Sequence, residues 1–146
     1  EEKVVVGLKD EIERSEKDLS EIITMASIIE AEAFDGMEEK ETISGILWKR
    51  LSKGMRLQVD ATLRYENGKE TGPLTLDDLA DDHAYNTYTR LGLPPTAIGN
   101  PGLQSIKAAL NPKETEYFFY LHDEDGKIHY AKTFEEHKKN IATYLK

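Results

Sequence analysis

Glu30 is the residue of this sequence best suited to acid–base chemistry. Apolar side chains recur with helical spacing between Leu19 and Phe34. At about 100° per residue, five of them share one direction with Glu30: Leu19, Ile22, Ile23, Ala26 and Ala33. A carboxyl group held against apolar side chains loses hydration, so its pKa rises and it stays protonated near neutral pH. General acid catalysis requires a protonated carboxyl group, and we therefore predict that Glu30 is a general acid.

The predicted helix contains two acids near its C-terminal end, Glu30 and Glu32, and each could instead face solvent. Glu30 can lie at the edge of the apolar face and reach water, because buried Glu is rare without a purpose. Glu32 points roughly 120° or more away from the apolar direction. We expect Glu32 to face solvent or to pair with a nearby Lys or Arg.

A second concentration of chemically useful residues falls in segments that we expect to be loops. Four segments are dense in polar and rigid residues: 57–62, 85–88, 92–95 and 98–102. Loops held on a rigid scaffold commonly carry binding and catalysis. Tyr rings pack on sugar rings, and Asn or Gln amides match hydroxyl and acetamido groups. The segments therefore suit a carbohydrate cleft, or alternatively they only build turns and cover the core.

The composition excludes several functions. The 146 residues include 28 acidic and 19 basic ones, for a net charge of −9. No basic stripe is available to displace the counterions of a nucleic acid, so we predict no nucleic-acid partner. There is no cysteine, and the four histidines lack metal-ligand spacing. Without a phosphate loop or a dinucleotide fingerprint, we predict neither a metal nor a cofactor.

The elements that must position these residues are mostly helical. We expect the Glu30 helix to be capped by Ser20 and to end near Phe34. Residues 55–74 read as loop with a short strand at 62–66, and 83–102 as irregular surface. Strands at 117–122 and 127–132 flank a turn. The other predicted helices are a short one at 9–17, one at 38–53, one from a Thr75 cap to Asp82, one from Asn100 to Leu110, and one opened by a capping box at Thr133.

These elements predict an α+β fold, a mostly helical single domain with a small antiparallel β-hairpin sheet. Residues 1–19 form a charged N-terminal segment, either a short helix or the remnant of an upstream linker. Residues 20–146 form the functional domain. The chain does not begin with Met, and we interpret it as a piece of a longer protein.

Seven motifs occur in the order found in one family of proteins. They are residues 26–32, 49–55, 57–62, 85–88, 92–95, 100–102 and 108–112. Together they resemble the MltG (YceG-like) family of endolytic murein transglycosylases from about Ser20 to the C-terminus. The sequence reads EAEA where the family usually has EKET, and QVDAT where it has QTDPT. Neither change removes an acid.

The resemblance implies a lysozyme-like catalytic cleft that cleaves the MurNAc-β-1,4-GlcNAc bond of peptidoglycan. It places the catalytic acid at Glu30, which alone would act as acid and base and leave a 1,6-anhydromuramic end. It also implies action on the extracytoplasmic face of the bacterial cell membrane, cell-wall synthesis enzymes as partners, and a membrane anchor only in a missing N-terminal part. We predict that the substrate-binding residues are Gln58, Asp60, Tyr85, Asn86, Thr87, Tyr88 and Asn100.

Two rival functions stay open on the sequence. Asp60 at roughly 5–9 Å from Glu30 would allow a lysozyme-like muramidase that uses water. Its structural alternative is to accept backbone N–H bonds within its own loop. A non-catalytic glycan-binding module would keep the aromatic cleft but would have no need for an acid on an apolar helix face.

Overall fold

A computed structural model describes residues 7–69 and 72–145 of the chain. Within these ranges seven helices and a two-stranded antiparallel sheet form one mostly helical domain, which confirms the predicted fold class. The helices are α1 (Lys9–Ser15), α2 (Leu19–Glu32), α3 (Gly36–Ser52), α4 (Asp60–Asn67), α5 (Leu76–Ala80), α6 (Leu103–Leu110) and α7 (Phe134–Tyr144). The strands are β1 (Phe119–His122) and β2 (Ile128–Ala131).

Helix α2 is the centre of the core. Its middle is buried around the whole circumference, at Ile22 and at every position from Thr24 to Ile29. A helix that packs on all sides is surrounded by other elements, here chiefly α6 and α3. The helix begins one residue before the predicted cap, because its N-cap is Asp18, whose backbone N–H donates to the Glu21 carboxylate at 3.1 Å.

Helices α3 and α6 complete the core beside α2. Ile43, Ile46 and Leu47 of α3 are fully buried. The Trp48 indole N–H donates to the Ala109 carbonyl of α6 at 2.9 Å, so the polar edge of this ring is satisfied. The three helices thereby form a rigid base for the surrounding loops.

The N-terminal helix joins this core at its edge. Leu8 is buried, and Ile12 of α1 packs against the main apolar cluster. The predicted short helix at 9–17 is thus found as Lys9–Ser15, whereas residues 1–6 of the predicted N-terminal segment lie outside the described ranges. The division of the chain at residue 19 stays a prediction.

The segment after α3 differs from the predicted loop and strand. Residues 62–66 belong to helix α4, which ends at Gly68 with a positive φ of 75°. The predicted strand was therefore wrong. The irregular stretch over 83–102 is confirmed, since it contains only turns and bends.

The hairpin and the last helix close the domain as predicted. Tyr120 faces Tyr130, and Leu121 faces His129, in the antiparallel register. The Thr133 hydroxyl accepts the Glu136 N–H and begins α7, which packs on both strands. None of the helices in the described part of the chain is long and apolar enough to cross a membrane.

Candidate functional site

A cavity of about 1020 Å³ opens beside the C-terminal end of α2. Its walls come from the end of α2, the link between α3 and α4, α4 itself, the irregular stretch, β1 and α7. Six of its lining residues carry polar groups that converge on one region: Glu32, Arg50, Gln58, Asp60, Tyr88 and Tyr120. A concave site with a few converging polar groups is the usual form of a ligand pocket.

Glu32 is partly buried in this cavity, where solvent exposure had been predicted. The Tyr120 hydroxyl donates to Glu32 Oε1 at 2.7 Å. Burial disfavours the charged carboxylate and raises the pKa of Glu32 to about 7, a rise that the Tyr120 bond opposes and the negative charge of Asp60 increases. Glu32 therefore has the environment that the sequence had suggested for Glu30.

Glu30 lies on the other side of α2, exposed to solvent. Its Oε1 accepts the Gly102 N–H at 3.0 Å and the Ser105 hydroxyl at 2.9 Å, at the N-terminus of α6. These two bonds, with the charge of Lys40, lower the pKa of Glu30. The predicted burial and raised pKa are wrong, so the catalytic role of Glu30 stays a prediction without the physical basis from which it was derived.

Asp60 and Tyr88, two of the predicted substrate-binding residues, form a second hydrogen-bonded pair in the cavity. The Tyr88 hydroxyl donates to Asp60 Oδ1 at 2.6 Å. Burial and the neighbouring carboxylate raise the pKa of Tyr88, which keeps its hydroxyl a proton donor. Asp60 thus has a side-chain partner instead of the backbone bonds considered for it.

Gln58 lines the cavity with an exposed side chain that is hydrogen-bonded to Arg50. The Gln58 backbone is in the left-handed region, with φ of 53°, which is unusual for a residue with a side chain. Arg50 donates to Gln58 Oε1 at 3.2 Å. The predicted substrate-binding position of Gln58 is compatible with this placement.

Asn86 and Thr87 are buried and do not line the cavity, so their predicted contact with substrate stays a prediction that this placement does not favour. The Asn86 amide donates to the carbonyls of Leu79 and Asp81 and accepts the Tyr88 N–H, so it folds its own loop. Thr87 is 2% exposed and binds Val59 through its hydroxyl. Their polar groups are used within the protein and are not available to a ligand.

Tyr85 and Asn100 are not among the residues that line the cavity. The Tyr85 hydroxyl bonds to Thr96 Oγ1 at 2.8 Å, and its ring packs behind Tyr65, with ring centres 5.1 Å apart. Tyr65 itself is half exposed and lines the cavity. Asn100 is exposed near the start of α6, and its predicted binding role stays a prediction.

Metal-binding geometry is not found in the ranges that the structure describes. No group of three or more His, Asp or Glu side chains is arranged to hold a metal ion there. The six converging polar groups of the cavity are two carboxyl groups, one guanidinium, one amide and two phenols.

The family model described as YceG-like matches residues 2–143. The chain belongs to the YceG-like family. It is 36% identical over 137 residues to an endolytic murein transglycosylase of Bacillus subtilis (strain 168), covering 94% of the chain and 38% of that protein. It is 30% identical over 133 residues to an endolytic murein transglycosylase of Streptococcus pneumoniae (serotype 2, strain D39), covering 87% of the chain and 24% of that protein.

Solved structures include a YceG-like protein of the same architecture. The crystal structure of a yceG-like protein from Listeria monocytogenes superposes with a TM-score of 0.87 at 39% identity. The match covers 92% of this chain and 44% of the Listeria chain. The chain thus spans less than half the length of the YceG-like relatives that it matches here.

Besides Glu32, the sequence did not indicate three further residues of this site. Tyr120 lies on a strand 88 positions from Glu32, and no local pattern connects the two. Arg50 was not among the predicted site residues, although it lines the cavity and its side chain is only 7% exposed. Its position in the 49–55 motif was the available signal. Tyr65 was assigned to a strand, so its place on the cavity-facing side of α4 was not foreseen.

Proposed function

We propose that this domain is a lytic transglycosylase that cleaves glycan strands of peptidoglycan, with Glu32 as its acid and base. The observation that carries the proposal is a carboxyl group with a pKa of about 7 inside a sugar-sized cavity, fixed by the Tyr120 hydroxyl. Near neutral pH such a group exists in both protonation states, which an acid that later acts as a base requires. The Bacillus and Streptococcus relatives, both named endolytic murein transglycosylases, support the same reaction class.

The proposed reaction needs one carboxyl group and no water. Protonated Glu32 gives its proton to the glycosidic oxygen between MurNAc and GlcNAc as the C1–O bond breaks. The Glu32 carboxylate then removes the proton of the muramic C6 hydroxyl, whose oxygen forms a new bond to C1. The products are a free GlcNAc 4-hydroxyl and a 1,6-anhydromuramic end, and Glu32 returns to its protonated state.

The other polar residues of the cavity suit the charge that develops in this reaction. Positive charge builds at the anomeric carbon as the C1–O bond lengthens. Asp60 lines the same cavity as Glu32, and its negative charge acts on Glu32. The Asp60 carboxylate can therefore stabilise the positive charge at the anomeric carbon. Tyr88 keeps the Asp60 carboxylate in position through its 2.6 Å hydrogen bond.

The same Asp60 supports the second candidate function, a muramidase. Two carboxyl groups in one cavity are the usual equipment of a glycosidase that consumes water. In that reaction Asp60 would activate a water molecule or attack C1 directly. The hydrogen bond from Tyr88 occupies one Asp60 oxygen, which leaves that carboxylate fewer free positions to bind an attacking water molecule, so we favour the transglycosylase.

Purified sacculi test the proposal through their products. Wild type, Glu32→Gln and Glu30→Gln are compared, and the released fragments are examined by mass spectrometry. We expect 1,6-anhydro ends from wild type and from Glu30→Gln, and a loss of at least about 100-fold in Glu32→Gln, which removes general acid–base catalysis. Activity lost only in Glu30→Gln would instead assign the acid to Glu30.

Further outcomes of this experiment separate the rival functions. Reducing ends that take up oxygen from ¹⁸O-labelled water would support the muramidase. Glycan binding without cleavage by wild type would support a non-catalytic binding module. Because peptidoglycan lies outside the cytoplasm, we propose the extracytoplasmic face of the bacterial cell membrane as the place of action, where cell-wall synthesis enzymes are candidate partners.

A further inference from the structure

Arg50 is a buried cation that binds neutral oxygens. Its side chain, which is 7% exposed, donates to the Arg56 carbonyl through Nε at 3.0 Å and Nη2 at 2.8 Å, and to the Phe118 carbonyl through Nη1 at 2.9 Å. It forms no salt bridge with a carboxylate among residues 7–69 and 72–145. Its remaining hydrogen bond goes to Gln58 Oε1 at 3.2 Å.

This hydrogen bond fixes the polarity of the Gln58 amide. A guanidinium has only donors, so the amide must present its oxygen to Arg50. Gln58 Nε2 then points away from Arg50, and it has no hydrogen-bond partner within the described residues. Because Gln58 is exposed and lines the cavity, the two N–H groups of Nε2 are free to meet a ligand there.

The backbone on both sides of Gln58 is also immobilised. The Gln58 N–H donates to the Thr87 carbonyl at 3.1 Å, and the Val59 N–H donates to Thr87 Oγ1 at 3.0 Å. Leu57 and Val59 are buried beside it. These contacts hold Gln58 at a φ of 53°, and strained backbone of this kind concentrates at functional sites.

We propose that Gln58 Nε2 is a donor subsite for the acylamino carbonyl oxygen of an N-acetylated sugar, with Arg50 as the positioning residue that sets its polarity. The inference rests on the proposed function and adds the sugar substituent that this part of the cavity selects. An acetamido carbonyl only accepts hydrogen bonds and matches two fixed donors. A free amino sugar offers an ammonium group, which cannot accept from Nε2 and is repelled by the buried charge of Arg50.

Oligosaccharides that differ only in this substituent test the subsite. Wild type and Gln58→Glu are titrated with the tetramers of β-1,4-linked N-acetylglucosamine and of glucosamine, and binding is measured by calorimetry or NMR. The cavity carboxylates Glu32 and Asp60 also attract an ammonium group, but they are unchanged in the variant. We expect Gln58→Glu to reduce the preference for the N-acetylated tetramer by about tenfold or more, because its carboxylate still accepts from Arg50 but donates nothing.

A matched substitution and a second variant complete the experiment. Gln104→Glu, on the exposed side of α6 outside the cavity, makes the same chemical change and should leave the preference unaltered. Arg50→Lys keeps the charge but cannot hold three oxygens in a planar array, so it should also reduce the preference. If Arg50→Lys does not fold, as judged by near-UV circular dichroism, the preference of Gln58→Glu alone tests the subsite.

The inference would be overturned if wild type showed no preference for the N-acetylated tetramer. It would also be overturned if Gln58→Glu showed the same preference as wild type. An unchanged preference in a folded Arg50→Lys variant would remove Arg50 from the subsite. Failure of the proposed function is observed separately. In that case wild type would prefer the N-acetylated tetramer yet release no anhydro ends from sacculi.

Discussion

Glu30 and Glu32 are two positions apart on α2, and their carboxylates contact different parts of the molecule. Glu30 accepts the Gly102 N–H and the Ser105 hydroxyl at the N-terminus of α6, where negative charge is favourable. Glu32 is covered by Tyr120 of the hairpin. The first carboxylate is stabilised as an anion and the second is destabilised, so a single helical turn contains a structural acid and a candidate catalytic acid.

The pH dependence of activity should follow Glu32. Because the protonated form donates to the glycosidic oxygen, activity should fall as pH rises above about 7. The Tyr120 hydrogen bond stabilises the carboxylate, so Tyr120→Phe should raise the pKa of Glu32 and move the alkaline limb of the pH–rate profile upward. Tyr117→Phe, outside the cavity lining, is the matched control. An alkaline limb that stays in place in Tyr120→Phe would contradict this assignment.

Stability should respond in opposite directions to the two Glu→Gln changes. The folded pKa of Glu32, about 7, exceeds the unfolded value of 4.5. Its protonated form therefore favours the folded state below pH 4.5, and this stability is lost as pH rises through 7, up to about 3 kcal/mol. At pH 8, Glu32→Gln should thus raise the free energy of unfolding.

Glu30→Gln should change the free energy of unfolding in the opposite direction. It removes the anion from the N-terminus of α6 and should lower the free energy of unfolding by about 1 kcal/mol. Urea denaturation of both variants at pH 8 measures the two effects. Equal destabilisation by the two changes would mean that Glu32 is not buried in the way described.

The sequence pointed to an acid near the end of α2 as the candidate general acid, but it selected Glu30, whereas the structure gives the raised pKa to Glu32. The helical-wheel argument assumed one apolar face, whereas α2 is buried on all sides from Thr24 to Ile29. Which side of its last turn becomes covered depends on Tyr120, 88 positions away. The burial of Asn86 and Thr87 was not foreseen for a related reason: their side chains suit a sugar, but in the structure their polar groups bond within the protein.

At the scale of elements, α3 carries a close contact that only glycine permits. A Cβ on Gly45 would overlap the carbonyl oxygen of Lys113. Lys113 is held at this place because its backbone N–H donates to the Glu41 carbonyl at 2.9 Å. Gly45→Ala should therefore lower the free energy of unfolding by about 2 kcal/mol, despite the higher helix propensity of Ala. Thermal denaturation measures this, with Gly99→Ala as control because a Cβ there meets nothing within 4 Å. Wild-type stability in Gly45→Ala would show that the 111–113 segment can move aside.

Elements with strong local signals were predictable, and those set by packing were not. The hairpin has its turn residues, α5 has the Thr75 cap, and α7 has the Thr133 cap, and all three were found. The segment of helix α4 was predicted as loop with a short strand at 62–66, and Thr62 and Tyr65 are residue types that favour strands. Its first turn is held instead by tertiary contacts such as that between Asp60 and Tyr88.

For the whole molecule, the distribution of buried residues predicts the order of local opening. Helices α1, α5 and α7 contain no buried residue, whereas α2 contains seven. Hydrogen–deuterium exchange should therefore be slowest in α2 and fastest in α5, the shortest of the exposed helices. Mass spectrometry of peptic peptides measures this, with the α3 peptide as an internal reference. Slow exchange in α5 would indicate a covering partner for that surface.

The cavity is a property of the whole molecule, because its walls come from parts of the chain more than 100 residues apart. The sequence predicted the fold class and suggested a carbohydrate cleft, but it could not say which elements would form the walls of the cavity. Helix α7 was predicted from the sequence, but its place in the wall of the cavity was not. Its contacts with the hairpin include the stacking of His137 on Phe119, with ring centres 5.0 Å apart, and of Tyr144 on His129. Phe119 lies in turn over the Arg50 guanidinium.

The position of the last helix has a practical consequence for laboratory work. Ile141 and Leu145 line the rim of the cavity. A purification tag or fluorescent protein fused shortly behind Leu145 would begin beside the opening and would compete with long glycans for it. Weak binding measured on such a fusion would be an artefact of the tag, so glycan titrations call for a tag on the N-terminal side or one that is cleaved off.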